Sequence, residues 1–231
     1  MSSFSDQIQS PSEAQMNKQD VLMTNPTALQ ELESYWASLP RTRGVPRRKD
    51  VDPVAMSGLL EDSFILERVA PGVARIRVAG RNIGRLIGVE PRGLPITAAF
   101  LPQSRAAMGQ HLEAAFTSPG LVELTLEAPR AIGQPRLQGK ILMLPLRDDH
   151  GRISRLLGVL VMSGVRGLGG RRFVIADTTP ARFEPIVGLH AVPKKANLHS
   201  VPFTAQRPSL APARNKKAED KPALRLVVSN A

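Results

Sequence analysis

Three glycines at four-residue spacing, Gly80, Gly84 and Gly88, sit in the stretch VAGRNIGRLIGVEPRG (78–93) among Arg81, Arg85 and Arg92. Glycine with arginine is the composition of a phosphate cradle, in which aligned backbone N–H groups and cations hold an anion. The spacing argues otherwise. A dinucleotide fingerprint needs G-x-G-x-x-G directly after a strand of a βαβ unit, and a P-loop needs G-x-x-x-x-G-K-[ST]. Neither is present. The stretch reads instead as a corner. Gly80 or Asn82 opens a helical turn, Ile83, Leu86 and Ile87 form its apolar face, and Gly88 closes it in the left-handed conformation. Glu90-Pro91-Arg92-Gly93 then fits a type I turn. Gly84 costs about 1 kcal/mol relative to alanine inside a helix, which close approach of that helix to a sheet would offset.

The other candidates for chemistry are few. Asp148, Asp149 and His150 are adjacent metal-ligand types, but three neighbours in one loop cannot converge on one ion, and RDDHG has the composition of a turn. His111 falls on a helical run about 60° from Met108 on the wheel, at the edge of the apolar face. It reads as a solvent-edge histidine rather than a haem ligand. The chain has no cysteine, which excludes disulfides, thiolate metal sites and cysteine nucleophiles. No G-x-S-x-G, H-E-x-x-H or paired-carboxylate pattern appears, so the chain reads as non-enzymatic.

The elements that position these residues follow from periodicity. In NPTALQELESYWASLP, Leu29, Leu32, Trp36 and Leu39 recur at helical spacing, Thr27 with Gln30 suggests a capping box, and Pro40 ends the helix. Asp52 can cap a short helix with Pro53 in its first turn. DSFILERV and VARIRVA alternate around Ala70-Pro71-Gly72 and read as a hairpin with Phe64, Leu66, Ile76 and Val78 inside. Residues 101–118 form a second helix whose buried face carries Met108, Leu112, Ala115 and Phe116. Three strand-like runs follow, GLVELTLEA, RLQGKILMLPL and RISRLLGVLVM. The last two are apolar at nearly every position, as in strands covered on both faces. The fold expected is α+β: a five-stranded antiparallel sheet, helices inserted between its second and third strands, and an N-terminal amphipathic helix, with the other face covered by that helix, within the subunit or across a dimer, or by a second subunit.

Charge is unevenly placed. The net charge is +11, and residues 166–231 hold 12 Lys and Arg against 4 Asp and Glu. The run RTRGVPRRK (41–49) adds five more cations. Such segments read as solvated arms. Residues 1–25 are polar, lack the apolar region of a secretory leader and read as disordered. The longest apolar stretch falls short of the roughly 18 residues of a membrane span. The expected organisation is a disordered 1–25, a domain at 26–165, and a basic, mostly disordered tail at 166–231. RRFVIAD in that tail could add a strand or a cap, and ALRLVVSNA (223–231) could dock.

In this order the elements resemble a PAS domain, with "IGRLIGVEPRGLPI" as the turn into the inserted helices and "LPLRDDHGRISRLLGVLV" as the last hairpin. More narrowly, "LESYWASLPRTRGVPRRKDVDP" resembles the opening of an alphaproteobacterial PAS-fold family formerly classed as a domain of unknown function. The residues carrying that likeness are Tyr35, Trp36, Arg43, Pro46, Arg48, Asp50, Asp52 and Pro53, and it covers roughly residues 29–163. It implies a sensory or interaction module without catalytic machinery of its own. Domains of this fold hold haem, flavin or small metabolites between helices and sheet, or act through dimerisation. The flavin photosensors that use a cysteine adduct are excluded here.

Two functional readings result, with attraction to an anionic membrane a third and weaker one because no amphipathic basic helix is present. The first is a cytoplasmic signalling module, dimeric or with a protein partner, that takes a small apolar ligand of unassigned identity. Its pocket would be lined by Phe64, Leu66, Ile76, Val78, Met108, Leu112, Phe116, Leu124, Leu126, Ile141 and Val159. The helix face of Leu29, Leu32, Trp36 and Leu39 is then the packing or interaction helix. The second is a protein whose basic arms contact nucleic acid non-specifically through salt-dependent phosphate contacts. Aromatics total only 4%, and Phe173, Phe183 and Phe203 are the ones near the charge, which weakens the stacking such binding uses.

Overall fold

Near-continuous apolar runs in ILMLPL and LLGVLV place two strands at the centre of one antiparallel sheet, β7 (Leu137–Arg147) and β8 (Ile153–Val165). The hairpin β4 (Ser63–Ala70) and β5 (Val73–Ala79) extends it on one side and β6 (Gly120–Ala128) on the other, in the order β6-β7-β8-β4-β5. These are the five expected strands. In the computed structural model, which describes residues 21–23, 25, 27–42, 44–176 and 181–186, short segments enlarge the sheet. Strand β1 (Val21–Met23) pairs with the end of β8, and β9 (Val174–Ile175) and β10 (Arg182–Pro185) both pair with β6. The folded unit therefore begins before residue 26 and continues past 165. The expected disorder of 1–20 and the docking peptide 223–231 lie outside the described residues.

Between β5 and β6 the chain forms α2 (Arg81–Ile87), a 3-10 turn at Ile96–Ala99 and α3 (Pro102–Thr117). They cover the inner face. Helix α1 (Ala28–Ser38) covers the outer face within the same chain, the placement its apolar stripe requires. Its start differs from the expected box. The Thr27 hydroxyl and the Asn25 side chain both bond Glu31, and Gln30 stays exposed. After Asp52 the chain makes successive i→i+3 turns rather than a helix, with the Val54 N–H donating to Asp52 Oδ1 at 2.9 Å.

The described part of the basic run, 41–42 and 44–49, is built into the fold. Arg41–Thr42 (β2) pairs with Val45–Pro46 (β3), and Val45 is fully buried. Arg41 stacks 4.8 Å from the Trp36 ring centroid and donates to the Ala37 carbonyl. An arginine over an indole is held by its apolar and cation–π contact at once, so this segment is no free arm.

Candidate ligand core and outer-face helix

The two faces of β7 and β8 hold separate apolar clusters, and strand register decides which residue joins which. Because Leu142 pairs with Val159 and Leu144 with Leu157, these four side chains point outward together. Ile141, Met143, Leu156 and Leu160 point inward. Nine of the eleven expected lining residues meet in the inner cluster: Phe64, Leu66, Ile76, Met108, Leu112, Phe116, Leu124, Leu126 and Ile141. All nine are buried. Strands supply six of them and α3 supplies Met108, Leu112 and Phe116.

Two are elsewhere. Val159 lies in the outer cluster, since it is opposite Leu142 and not Ile141. Val78 is 51% exposed. The β4–β5 pairing runs Ile65↔Val78 and then Leu66↔Ile76, so Arg77 is the extra residue of a bulge. One extra residue reverses the side-chain parity beyond it, which turns Val78 away from Ile76.

Helix α3 is anchored at the hairpin turn of the sheet. Glu113 accepts from the Gly72 N–H at 2.8 Å and from Arg68 at 2.5 Å, and Arg68 lies over the Phe116 ring at 5.6 Å. His111 sits half-buried on this helix, and burial holds its imidazole below the ordinary value. The arrangement is an apolar interior under a helix, suited to exclude water and hold apolar groups. Among the described residues no group of three His, Asp or Glu is placed to hold a metal ion.

On the outer face, Leu32, Trp36 and Leu39 are buried against Leu142, Leu144, Leu157 and Val159, with Leu29 partly buried beside them. The indole N–H of Trp36 donates to the Pro145 carbonyl at 2.9 Å, across 109 residues of chain. Arg182 of β10 grips Glu33 of α1 through two bonds of 3.0 Å. This fork-to-carboxylate geometry fixes the helix in two dimensions.

The glycine stretch turns a corner, as expected. Gly80 precedes α2, Ile83, Leu86 and Ile87 are buried, and Gly88 has φ +80°. The Gly80 and Asn82 N–H groups donate to the carbonyls of Ser63 and Glu61, so amides that a phosphate would need are already bonded. Two details differ. The turn after Pro91 places Gly93, at φ +83°, third and closes with Leu94 N–H on the Pro91 carbonyl. That is the type II position for glycine, one residue along from the expected turn. Gly84 faces Pro91 and not the sheet, with room for a methyl group at an ordinary 3.6 Å. Gly84→Ala is therefore expected to stabilise the fold by about 1 kcal/mol through helix propensity. A lowered melting temperature would show that the position needs glycine.

The loop with Asp148, Asp149 and His150 is a hairpin turn organised by one carboxylate. Asp148 accepts from the His150 and Arg152 N–H groups at 3.0 and 2.9 Å, from Ser154 Oγ at 2.9 Å and from Arg152 Nε at 3.1 Å. Burial alone would raise its pKa. The Arg152 N–H, the Ser154 hydroxyl and the Arg152 guanidinium outweigh it and hold the group at about 2. A depressed carboxylate stabilises the fold above its ordinary value of 3.8 and loses that contribution as pH falls toward 2. Asp148→Asn is expected to cost about 2 kcal/mol near neutral pH, and the gap from wild type should narrow below pH 4 and close toward pH 2. An equal gap at pH 7 and pH 3 in urea titrations would contradict this.

Sequence reasoning missed the most buried cation. Arg171 is 1% exposed, and its guanidinium donates to the carbonyls of Arg166, Ala128, Pro129 and Pro135 at 2.6, 3.3, 3.2 and 2.6 Å. Its neighbour Arg172 donates to the Ile87 carbonyl at the end of α2. Phe173 is fully buried, packed edge-on to Phe100 at 6.3 Å, so it is not available to stack on a base. The only signal in the sequence was the apolar alternation in RRFVIAD.

No curated protein matches the chain. Among solved structures, it is 18% identical to a light-oxygen-voltage domain studied with a flavin analogue, at a TM-score of 0.36, covering 48% of this chain and 83% of that one. It is 19% identical to an RNA-binding light-oxygen-voltage receptor, at a TM-score of 0.35, covering 53% of this chain and 37% of the receptor. The family described as PAS domain matches residues 23–161. That match spans the hairpin, the inserted helices, the closing strands and α1 with its Trp36 anchor, and the chain belongs to the PAS domain family.

Proposed function

We propose that this chain is a non-enzymatic signalling module that acts in the cytoplasm by binding a small apolar ligand in its inner cluster and passing the change to a protein partner or a second copy. The observation that supports it most is the convergence of nine apolar side chains from four strands and α3 into one buried cluster. Strands β7 and β8 present that cluster on one face and the α1 contact on the other, so a change in the inner packing bears directly on the outer helix. The absence of cysteine suits a reducing compartment.

Native mass spectrometry of the full chain tests the reading. A co-purified apolar molecule, released on denaturation and lost in a Leu124→Arg variant that still folds, is the expected result. A bare polypeptide mass, with no stabilisation by any fraction of an apolar cell extract, would refute ligand binding and leave an interaction module alone. The nucleic-acid reading draws on the net charge of +11. Its weakness is that Arg41 and Arg171 are committed to the fold.

A further inference from the structure

Two loops at one end of the sheet, PRAIGQPR (129–136) and RGLGGRR (166–172), contain five arginines and no acidic residue. They are fastened together. The Leu168 N–H donates to the Gly133 carbonyl at 3.0 Å, and Gln134 Nε2 donates to the carbonyls of Leu168 and Gly170 at 2.5 and 3.4 Å. Ala131 and Gln134 close the first loop with reciprocal backbone bonds of 2.9 Å. Arg171 lies beneath, bonded to carbonyls of both loops.

This braced tip carries two aliphatic side chains into solvent. Ile132 is 102% exposed and Leu168 is 68% exposed. They are neighbours: Leu168 Cδ1 lies 3.0 Å from where a Cβ on Gly133 would stand, next to Ile132. Arg130, in the first loop, is exposed and has no carboxylate partner among the described residues, while Arg136 is paired with Glu127.

We propose that this tip docks on an anionic lipid surface. Two aliphatic side chains protruding from an arginine-bearing tip can enter the acyl boundary of a bilayer directly, with affinity from buried apolar area and attraction to anionic headgroups. Arginine stems lie along that boundary with their guanidinium groups at the phosphates. Because the loops are already fixed to each other, little conformational freedom is lost on docking. Single-stranded nucleic acid would use aromatic platforms, and the nearest aromatic, Phe173, is buried. The inference concerns a surface separate from the apolar interior and does not depend on ligand binding.

The cysteine-free chain makes the test specific, since one introduced thiol is the sole labelling site. Full-length Ile132→Cys, Leu168→Cys and, as a distant exposed control, Val54→Cys are each labelled with a polarity-sensitive dye. They are mixed with vesicles of phosphatidylglycerol and phosphatidylcholine in equal parts, or of phosphatidylcholine alone. A blue shift at 132 and 168 with the anionic vesicles, none at 54 and none with the neutral vesicles, is expected. An unlabelled Ile132→Ser/Leu168→Ser variant should partition at least about tenfold more weakly, with unchanged melting. Water-like emission at 132 while the chain sediments with vesicles would overturn the proposal, as would equal partitioning of the double variant. So would a shift produced by an acidic protein or an oligonucleotide and not by the vesicles.

Discussion

Replacing Trp36 by alanine is expected to remove about 3–5 kcal/mol of folding stability, the cost of emptying a packed indole site. The side chain is 7% exposed and packs among Leu142, Leu144 and Leu157. Its N–H is also the partner of the Pro145 carbonyl in the outer face. Truncation therefore opens a cavity and leaves a buried acceptor unmatched. Trp36→Phe separates the two effects, keeping most of the packing and losing the hydrogen bond, for about 1 kcal/mol. Trp36 is the only tryptophan, so native emission reports this contact alone and should be blue-shifted. Water-like emission from the folded protein, or unchanged denaturation of the alanine variant, would mean that α1 does not cover the sheet in solution.

The second large effect is expected at Arg171. Its guanidinium meets four backbone carbonyls, and no carboxylate among the described residues pairs with it. Burial, and then the nearby Arg166 charge, lower its pKa. Removing the charge relieves a desolvation cost, but it leaves carbonyls of two loops without a donor where water has little access. Orphaned buried acceptors cost about 1–3 kcal/mol each, so the loss wins, and Arg171→Met should be destabilised by about 3 kcal/mol or more. Arg171→Lys should fare little better, because one ammonium cannot span four acceptors that a planar fork reaches together. Amide exchange should rise in 129–136 and 166–176 before it rises in β7. A methionine variant as stable as wild type would show that the guanidinium is not what ties these loops.

Some of this protein was readable from residue order alone. The spacing of Leu32, Trp36 and Leu39 marks one helix face, and the apolar density of β7 and β8 requires two covers, so α1 was the candidate cover, though whether within the chain or across a dimer was left to the structure. Ile83, Leu86, Ile87 and the left-handed Gly88 announce a short helix and its stop. These signals are local: they depend on 3.6- and 2-residue periods and on what one glycine permits.

What the order of residues could not decide was set by contacts between distant segments. Val78 left the inner face because one bulge at Arg77 reversed parity, and Val159 joined the outer face because its register is fixed by Leu142 across the hairpin. Neither offset is encoded in the strand's own pattern. Arg171 looks like a solvated charge until Ala128, Pro129, Pro135 and Arg166 bring four carbonyls around it. Composition gives a side chain's cost in isolation, and only the folded backbone supplies the partners that repay it, which is why periodicity was legible here and the fate of each polar group was not.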